Sequence, residues 1–392
     1  MQEVLFHIPT NLILGEIEPH LSDKNLDKCH YVVNEIYEQR SIYRVKTEFV
    51  PLKARYLRNI LRDYLPIIKK LESHEIIQCD YTYKKNNKCY GFKLANKYAN
   101  AKTRAVFCQS NLKNTIFKWR KSRIPTNKTH QLLYKQLEKI EINVANAKNY
   151  TQTLPHEEQV NQNIAIEKIE NKDWYFSADE YGRVHTNITN ISRHLRKYLS
   201  YKNQQLINID ISNSQPLLLT SLILNNVQYK EIVDGIIPIR CTNSPNSNPF
   251  TDLTSSFDHY KFLCETGELY NYYSTATGIE LTKVKKTIFQ NIFGPFVSAE
   301  FMGLFPEVGI ILKQMKSNGY KQVAWNLQRL ESKIIITNVC RRLFEMFPKA
   351  FFTTIHDSIL TTEEHVGAVE FLIKDAFTAY GVKPKVRIES YE

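Results

Sequence analysis

Apolar positions recur along this chain with two periods, and the changes of period divide it. Leu57, Ile60, Leu61 and Tyr64 stand at i, i+3, i+4 and i+7, the buried stripe of an amphipathic helix. After Pro66 a second short helix is predicted through Ile67, Ile68 and Leu71. Two β-rich runs follow, "IIQCDYTY" and "CYGFKL", joined by the polar turn "KKNNK". Residues 126–170 return to helical spacing at Leu133, Leu137, Ile140 and Val144, with three Asn/Gln-rich breaks. From Trp174 the texture is strand-like again, and "WYFSADEYGRVHTN" predicts two strands flanking "DEYG". The run "QLINID" stops at Asp210, "SNS" reads as a turn, and "QPLLLTSLIL" as a buried helix. The clearest loop of the second half is "CTNSPNSNPFTDLTSS", 241–256. Then "GIELTKVKKTIFQNIFGPF", 278–296, predicts a helix ended by Gly294 and Pro295. Last, "AFFTTIHDSILTTEEH" predicts a tight hairpin with Asp357 at its tip. No tandem repeat is apparent.

Composition narrows the partner. The 392 residues allow two or three domains, and 43% apolar with 23% charged residues is an ordinary balance for a soluble protein. The net charge of +12 is unevenly placed. Residues 45–94 hold eleven Lys/Arg against five Asp/Glu, and residues 101–125 hold seven Lys/Arg and no acid. Phe107, Phe117 and Trp119 are interleaved with that second run, which suits a surface that tracks a nucleic-acid strand better than a solvated lysine face. Two helices followed by a basic-tipped hairpin resemble a winged-helix module over residues 1–100. A small α+β accessory domain without DNA contact is the plainer reading of the same elements. No apolar run approaches the roughly 20 residues that a spanning helix needs, so no membrane partner is expected. The N-terminus has no basic lead and its apolar run is broken by His7 and Pro9, so no signal peptide is read there. Seven cysteines without CxxC spacing point to a reduced, cytoplasmic protein with no zinc site.

The candidate chemistry lies in two acids. Asp210 and Asp357 both end apolar, strand-like runs, where a carboxylate costs free energy unless a donor or a cation meets it. If the two strands are neighbours, the carboxylates converge and repel unless they are protonated or bridged by hard cations. Mg²⁺ suits such a pair, with Mn²⁺ as a substitute. Two ions about 3.5–4 Å apart stabilise the attacking and leaving oxygens of a phosphoryl displacement. Each Asp alone is more often a turn or cap residue. On the helix between them, Lys285, Phe289 and Phe293 fall within about 80° of one another, on one face. A cation and two aromatics in a stripe could hold a triphosphate and stack on a base. An amphipathic helix with a buried Phe edge is the ordinary alternative.

The order of these segments resembles the polymerase core of family A DNA polymerases and the related single-subunit RNA polymerases. The similarity rests on "GRVHT" (182–186), "DISNSQ" (210–215), "KKTIFQNIFG" (285–294), "NLQRLES" (326–332) and "HDS" (356–358), and covers about 175–392. It implies an α+β chain with a right-hand polymerase fold, an antiparallel palm sheet and helical fingers, preceded by the winged-helix-like domain. The palm would comprise 175–225 and 321–392, the fingers 226–320, and 101–174 a basic helical, thumb-like connection. The resemblance implies that Asp210, Asp357 and the Ile211 carbonyl bind two metal ions. Lys285 would neutralise the incoming triphosphate, Phe289 pack on the nucleotide, and Phe293 stack near the templating base. Gln215 would lie beneath the sugar. Arg183, His185, Gln328 and His356 would contact primer and template, and Arg193 and Arg196 could serve where the segment after "HT" is shorter than the family's. The implied activity is DNA-dependent DNA synthesis from a 3′-hydroxyl with dNTPs.

Besides that short segment, two departures from the family pattern qualify the expectation. Leu281 stands where the family places an Arg four residues before the helix Lys. Lys286, about 100° round the helix, is a better substitute than Lys283. Gln215 replaces the Glu of the DNA enzymes and the Gly of the RNA enzymes. Its bulk favours deoxynucleotides, although its amide could instead hydrogen-bond a 2′-hydroxyl. No Asp-x-Glu strand precedes the core, so no proofreading exonuclease is expected. A compact form of this kind would suit phage replication, a mobile element, repair or defence. An RNA polymerase or primase-polymerase using NTPs, and a replication initiator that binds DNA without catalysis, remain the alternatives.

Overall fold

The apolar stripe at Leu57, Ile60 and Leu61 forms a helix, Ala54–Leu61, whose three stripe residues are buried. It stops one turn earlier than the spacing predicts, because Arg62 takes a left-handed backbone, φ 52°. Tyr64 instead opens the second helix, Tyr64–Ser73. Pro66 sits in that helix's first turn, where the missing N–H would have had no intrahelical acceptor in any case. The computed structural model describes residues 3–41, 47–85, 88–99, 101–226 and 255–389. They form a mixed α+β protein with small antiparallel sheets. Two compact units divide it: Met1–Thr126, Leu137–Ser177 and His185–Gln205 form the first, and Asn127–Gln136, Ala178–Val184 and Leu206–Glu392 the second.

In the first unit, β1 (Leu5–Pro9) pairs antiparallel with β5 (Thr103–Phe107). Helix Asp23–Ser41 is followed by β2 (Val50–Pro51), the two helices above, β3 (Ile77–Cys79) and β4 (Gly91–Leu94). These strands form a sheet in the order β2-β4-β3. The predicted hairpin strands are thus shorter than their β-rich runs, and Asn86 and Asn87 of the predicted turn lie outside the described residues. One apolar core, including Phe6, Val32, Leu57, Ile68, Phe92 and Ile116, joins all these elements. The basic run 101–125 is not wholly a surface. Phe117 and Trp119 are partly buried against that core, and Arg120 pairs with the buried Asp173. The stripe predicted through Leu133, Leu137, Ile140 and Val144 is broken: helix Lys128–Leu137 belongs to the second unit as far as Gln136, β6 (Glu141–Ile142) intervenes, and Val144 starts helix Val144–Thr151. Helix His156–Glu170 follows, and β9 (Leu199–Tyr201) and β10 (Gln204–Gln205) complete a small sheet with β6.

The predicted "DEYG" hairpin is β7 (Phe176–Ala178) and β8 (Val184–Thr186). At its tip the Asp179 carboxylate accepts the N–H groups of Tyr181 and Arg183 at 2.9 and 3.0 Å. Gly182 supplies the positive φ, 84°.

In the second unit β11 (Ile207–Ile211) lies inside a four-stranded antiparallel sheet with β12 (Phe352–Ile355), β13 (Ser358–Thr361) and β14 (Val386–Glu389). The order is β12-β13-β11-β14. Helix Ser214–Leu224 leaves β11 almost wholly buried, as its unbroken apolar run requires. Helices populate the described part of 255–346. Helix Lys321–Ser332 runs through a π-helical stretch, Lys333–Cys340, into Arg341–Met346. The predicted loop 241–256 lies outside the described residues except at Ser255 and Ser256, and Cys241 lies outside with it. Among the described residues the six cysteines form no disulfide, and no helix is long and apolar enough to cross a membrane.

Candidate active site

Strand register brings the two acids together. On one side of β11, Ile209 pairs with Ile359 of β13. At the end of that hairpin Ile355 pairs with Ser358, which leaves His356 and Asp357 as a two-residue turn. Continuing the register, Asp210 faces Ser358, and Asp357 is one residue further, a rise of about 3.3 Å. His356 has φ 57°, the left-handed conformation that two-residue hairpin turns demand. On the other side of β11, Asp210 pairs with Arg387 and Asn208 with Glu389. The Asn208 amide donates to the Glu389 carboxylate at 3.1 Å.

The electrostatics of this sheet edge are unbalanced. Burial first, then the charges of Asp357 and Glu389, push the Asp210 carboxyl from its ordinary 3.8 up to about 6, while the Ile211 N–H and Arg387 pull it back. At Asp210, burial and the two neighbouring acids thus outweigh the Ile211 N–H and Arg387. The turn after β11 adds polar atoms without protein partners. Ser212 Oγ and both amide atoms of Asn213 are buried and find no hydrogen-bond partner. Asn213 holds a left-handed φ of 53°, which Asn tolerates better than most residues. A carboxylate pair with excess negative charge, beside unengaged oxygens, fits a hard divalent cation. Among the described residues no group of three or more His, Cys, Asp or Glu side chains gathers as a metal nest, so the candidate is the pair itself.

No family model matches this sequence, and no curated protein matches it. In fold, 59% of the chain is similar to the polymerase domain of Pol1 from M. smegmatis, solved with DNA primer-template and dNTP, at 14% identity and a TM-score of 0.38. The chain spans about half of that structure, 51%.

A second cluster, not expected from sequence, centres on Glu331. Its buried carboxylate receives both ends of the Arg183 guanidinium, Nε at 3.0 Å and Nη2 at 2.7 Å. It also accepts from the Gln215 amide, whose Oε1 is buried without a partner. Burial raises the Glu331 carboxyl above its ordinary range; Arg183 lowers it, and Asp357 raises it. The hairpin tip is locked to helix Lys321–Ser332 by Tyr181 stacking on Trp325, centroids 6.0 Å apart, and by Gly182 lying against Ser332. A Cβ on Gly182 would come within 3.1 Å of that serine. Arg183, expected to contact primer and template, is thus engaged inside the protein. The signal for Glu331 was its place three residues after Gln328, which is half-buried on the same helix.

Helix Leu281–Phe293 buries Val284, Ile288, Asn291 and Ile292, so its core edge is aliphatic and not the Phe edge. The stripe Lys285, Phe289, Phe293 stands beside that edge. The Phe289 and Phe293 rings meet edge to face at 5.4 Å, and the Lys285 ammonium lies 5.5 Å above Phe289. Gly294 ends the helix, where any Cβ would meet the Gln290 carbonyl oxygen at 2.5 Å. Leu281 is 52% exposed. Lys283 pairs with Glu280 at 3.0 Å, and Lys286 is exposed. His356 is exposed at its turn, and the Ile211 side chain is buried. His185, Arg193 and Arg196 belong to the first unit, and the Arg196 Nε there is buried without a hydrogen-bond partner. Burial and then Cys264 push the Tyr270 phenol up; Arg387 draws it down and Asp357 raises it further.

Proposed function

We propose that this chain is a template-directed nucleotidyltransferase, in its simplest form a DNA-dependent DNA polymerase that extends a 3′-hydroxyl with dNTPs. The observation that carries the reading is the register that sets the β12–β13 turn, with Asp357, beside the end of β11 that holds Asp210, where the charges of Asp357 and Glu389 raise the Asp210 carboxyl. Asp210, Asp357 and the Ile211 carbonyl would hold two Mg²⁺ ions, or Mn²⁺ in their place. Ions bound there would supply charge stabilisation to the attacking and leaving oxygens.

The chain's own groups would do the rest. Lys285, with Lys286 in support, would meet the triphosphate, as electrostatic stabilisation of phosphoryl transfer requires. Phe289 and Phe293 would offer ring faces to the nucleotide and the templating base. Gln215, fixed by Glu331, would sit under the sugar, and Gln328 and His356 would touch primer and template. A right-hand arrangement follows from this reading, with a palm over 175–225 and 321–392, fingers over 226–320 and a thumb-like 101–174. In the first unit, the order helix, β2, two helices, β3, β4, with the sheet β2-β4-β3, supports a winged-helix reading of residues 1–100. His185, Arg193 and Arg196 would add contacts to nucleic acid.

Primer extension with Mg²⁺ tests the proposal, with dNTPs and NTPs offered on primed and unprimed templates. Incorporation by the wild type that disappears in Asp210→Ala and Asp357→Ala is the expected result. Undiminished incorporation by either variant removes the acid pair from the mechanism. The nucleotide set that is used separates DNA synthesis from RNA synthesis or priming.

A further inference from the structure

The hairpin between β3 and β4 displays three aromatic rings that the acid pair does not involve. Tyr81, Tyr83 and Tyr90 are 71%, 64% and 45% exposed. Tyr90 stands between the others, 6.3 Å from Tyr81 and 6.0 Å from Tyr83 between ring centroids, with the planes inclined at 68° and 51°. The segment 81–90 also carries Lys84, Lys85 and Lys88, all exposed, and no acid. Lys88 pairs with Asp80 at 2.9 Å.

The presentation of these rings is held in place. Tyr81 has φ 47°, a conformation that bulky residues rarely take. The Asp80 carboxylate accepts the N–H groups of Thr82 and Gly91 at 3.0 and 2.9 Å, which braces the two arms of the hairpin. The Tyr81 hydroxyl donates to Glu72 at 2.7 Å. The neighbouring helix Tyr64–Ser73 is less equipped for contact: its exposed positions include Leu65, Pro66 and Lys69, and Lys70 is paired with Glu18 at 2.9 Å.

Leaving three rings in water forgoes the free energy of burying them, so a face that collects them invites a flat, apolar partner. The adjacent lysines select an anionic one. A duplex keeps its base faces stacked on each other, whereas a single strand offers both base faces and phosphates. We propose that Tyr81, Tyr83 and Tyr90 form a stacking platform for single-stranded nucleic acid, with Lys84 and Lys85 meeting its phosphates. This surface is independent of the acid pair, and its test reads binding alone.

Fluorescence anisotropy of a labelled oligothymidine of about 16 nucleotides, titrated with the full chain, measures the interaction. Tighter binding of the single strand than of a duplex of equal length is expected. Tyr83→Ala and Tyr90→Ala should each weaken it about tenfold, while Tyr83→Phe and Tyr90→Phe keep the ring and the affinity. Lys84→Glu with Lys85→Glu should weaken it as well and flatten its salt dependence, a second readout that leaves the rings in place. The proposal is overturned if the duplex binds as tightly, if the alanine variants bind like wild type, or if the phenylalanine variants lose as much as the alanine ones.

Discussion

The two units each gather a cluster of charges, largely buried in the first and half-buried in the second, and the clusters differ in balance. In the first unit Arg120 pairs with Asp173, and Lys168 pairs with Glu38. The third acid, Glu35, is pushed up to about 7 by burial and then by Glu38. Each cation thus meets a carboxylate directly, and the two pairs tie helices Asp23–Ser41 and Leu112–Ser122 to His156–Glu170 and the turn after it. In the second unit, the charges of Asp357 and Glu389 raise the Asp210 carboxyl and that of Arg387 lowers it, with the raising side dominant. A compensated cluster is complete as a structural tie. An uncompensated one is stable only at the cost of shifted protonation, or with a cation brought from outside. The paired, buried charges read as architecture, and the acid-rich, half-buried ones are where the proposed function would place its metal ions.

The contrast can be broken most sharply at the acids. Asp210→Ala or Asp357→Ala should lower Mg²⁺-dependent incorporation by about 10³-fold or more, with the fold retained by circular dichroism. At the balanced cluster the effect should fall on stability instead. Arg120→Ala leaves Asp173 buried without its guanidinium and should cost about 3–5 kcal/mol in urea denaturation, with single-strand binding by the folded fraction unchanged.

Between these extremes stands Glu331→Gln, which keeps the shape and removes the charge that receives Arg183 and Gln215. A stability loss of about 1–3 kcal/mol is expected, together with a changed ratio of dNTP to NTP use in competition assays. An unchanged ratio would detach Gln215 from sugar choice.

The smallest effect has the opposite sign. Because the folded Asp210 binds its proton more tightly than the unfolded chain does, stability of the metal-free protein should fall as pH rises from about 4 to about 6 and stay low above that. Asp357→Asn removes one cause of the raised carboxyl. It should therefore stabilise the metal-free protein by on the order of 1 kcal/mol at about pH 8 and shrink the dependence on pH. Thermal unfolding in a chelator, followed across pH, measures both.

Much of the local structure was legible. Helical spacing found the stripe at Leu57, Ile60 and Leu61, and the Lys285–Phe289–Phe293 face on helix Leu281–Phe293. Alternation and turn residues found the hairpin that carries Asp357 and the strand that ends near Asp210. Errors fell at boundaries, as at Arg62, where a left-handed residue ended a helix that apolar spacing alone would have continued. The basic run 101–125 was read as surface, yet Arg120 turns inward, because charge counting does not say which face of a helix meets a buried acid.

The sequence by itself determined the elements and their ends, since apolar periodicity and turn chemistry act over a few residues. Only the tertiary structure decided the partners. That β11 lies between β13 and β14 follows from backbone pairing between segments far apart in the chain, which no local period encodes. From that placement come the nearness of Asp210 to Asp357, the presence of Arg387 and Glu389 beside Asp210, and the raised Asp210 carboxyl. Arg183 could have met any of many acids; Gly182 resting on Ser332 is what delivers it to Glu331.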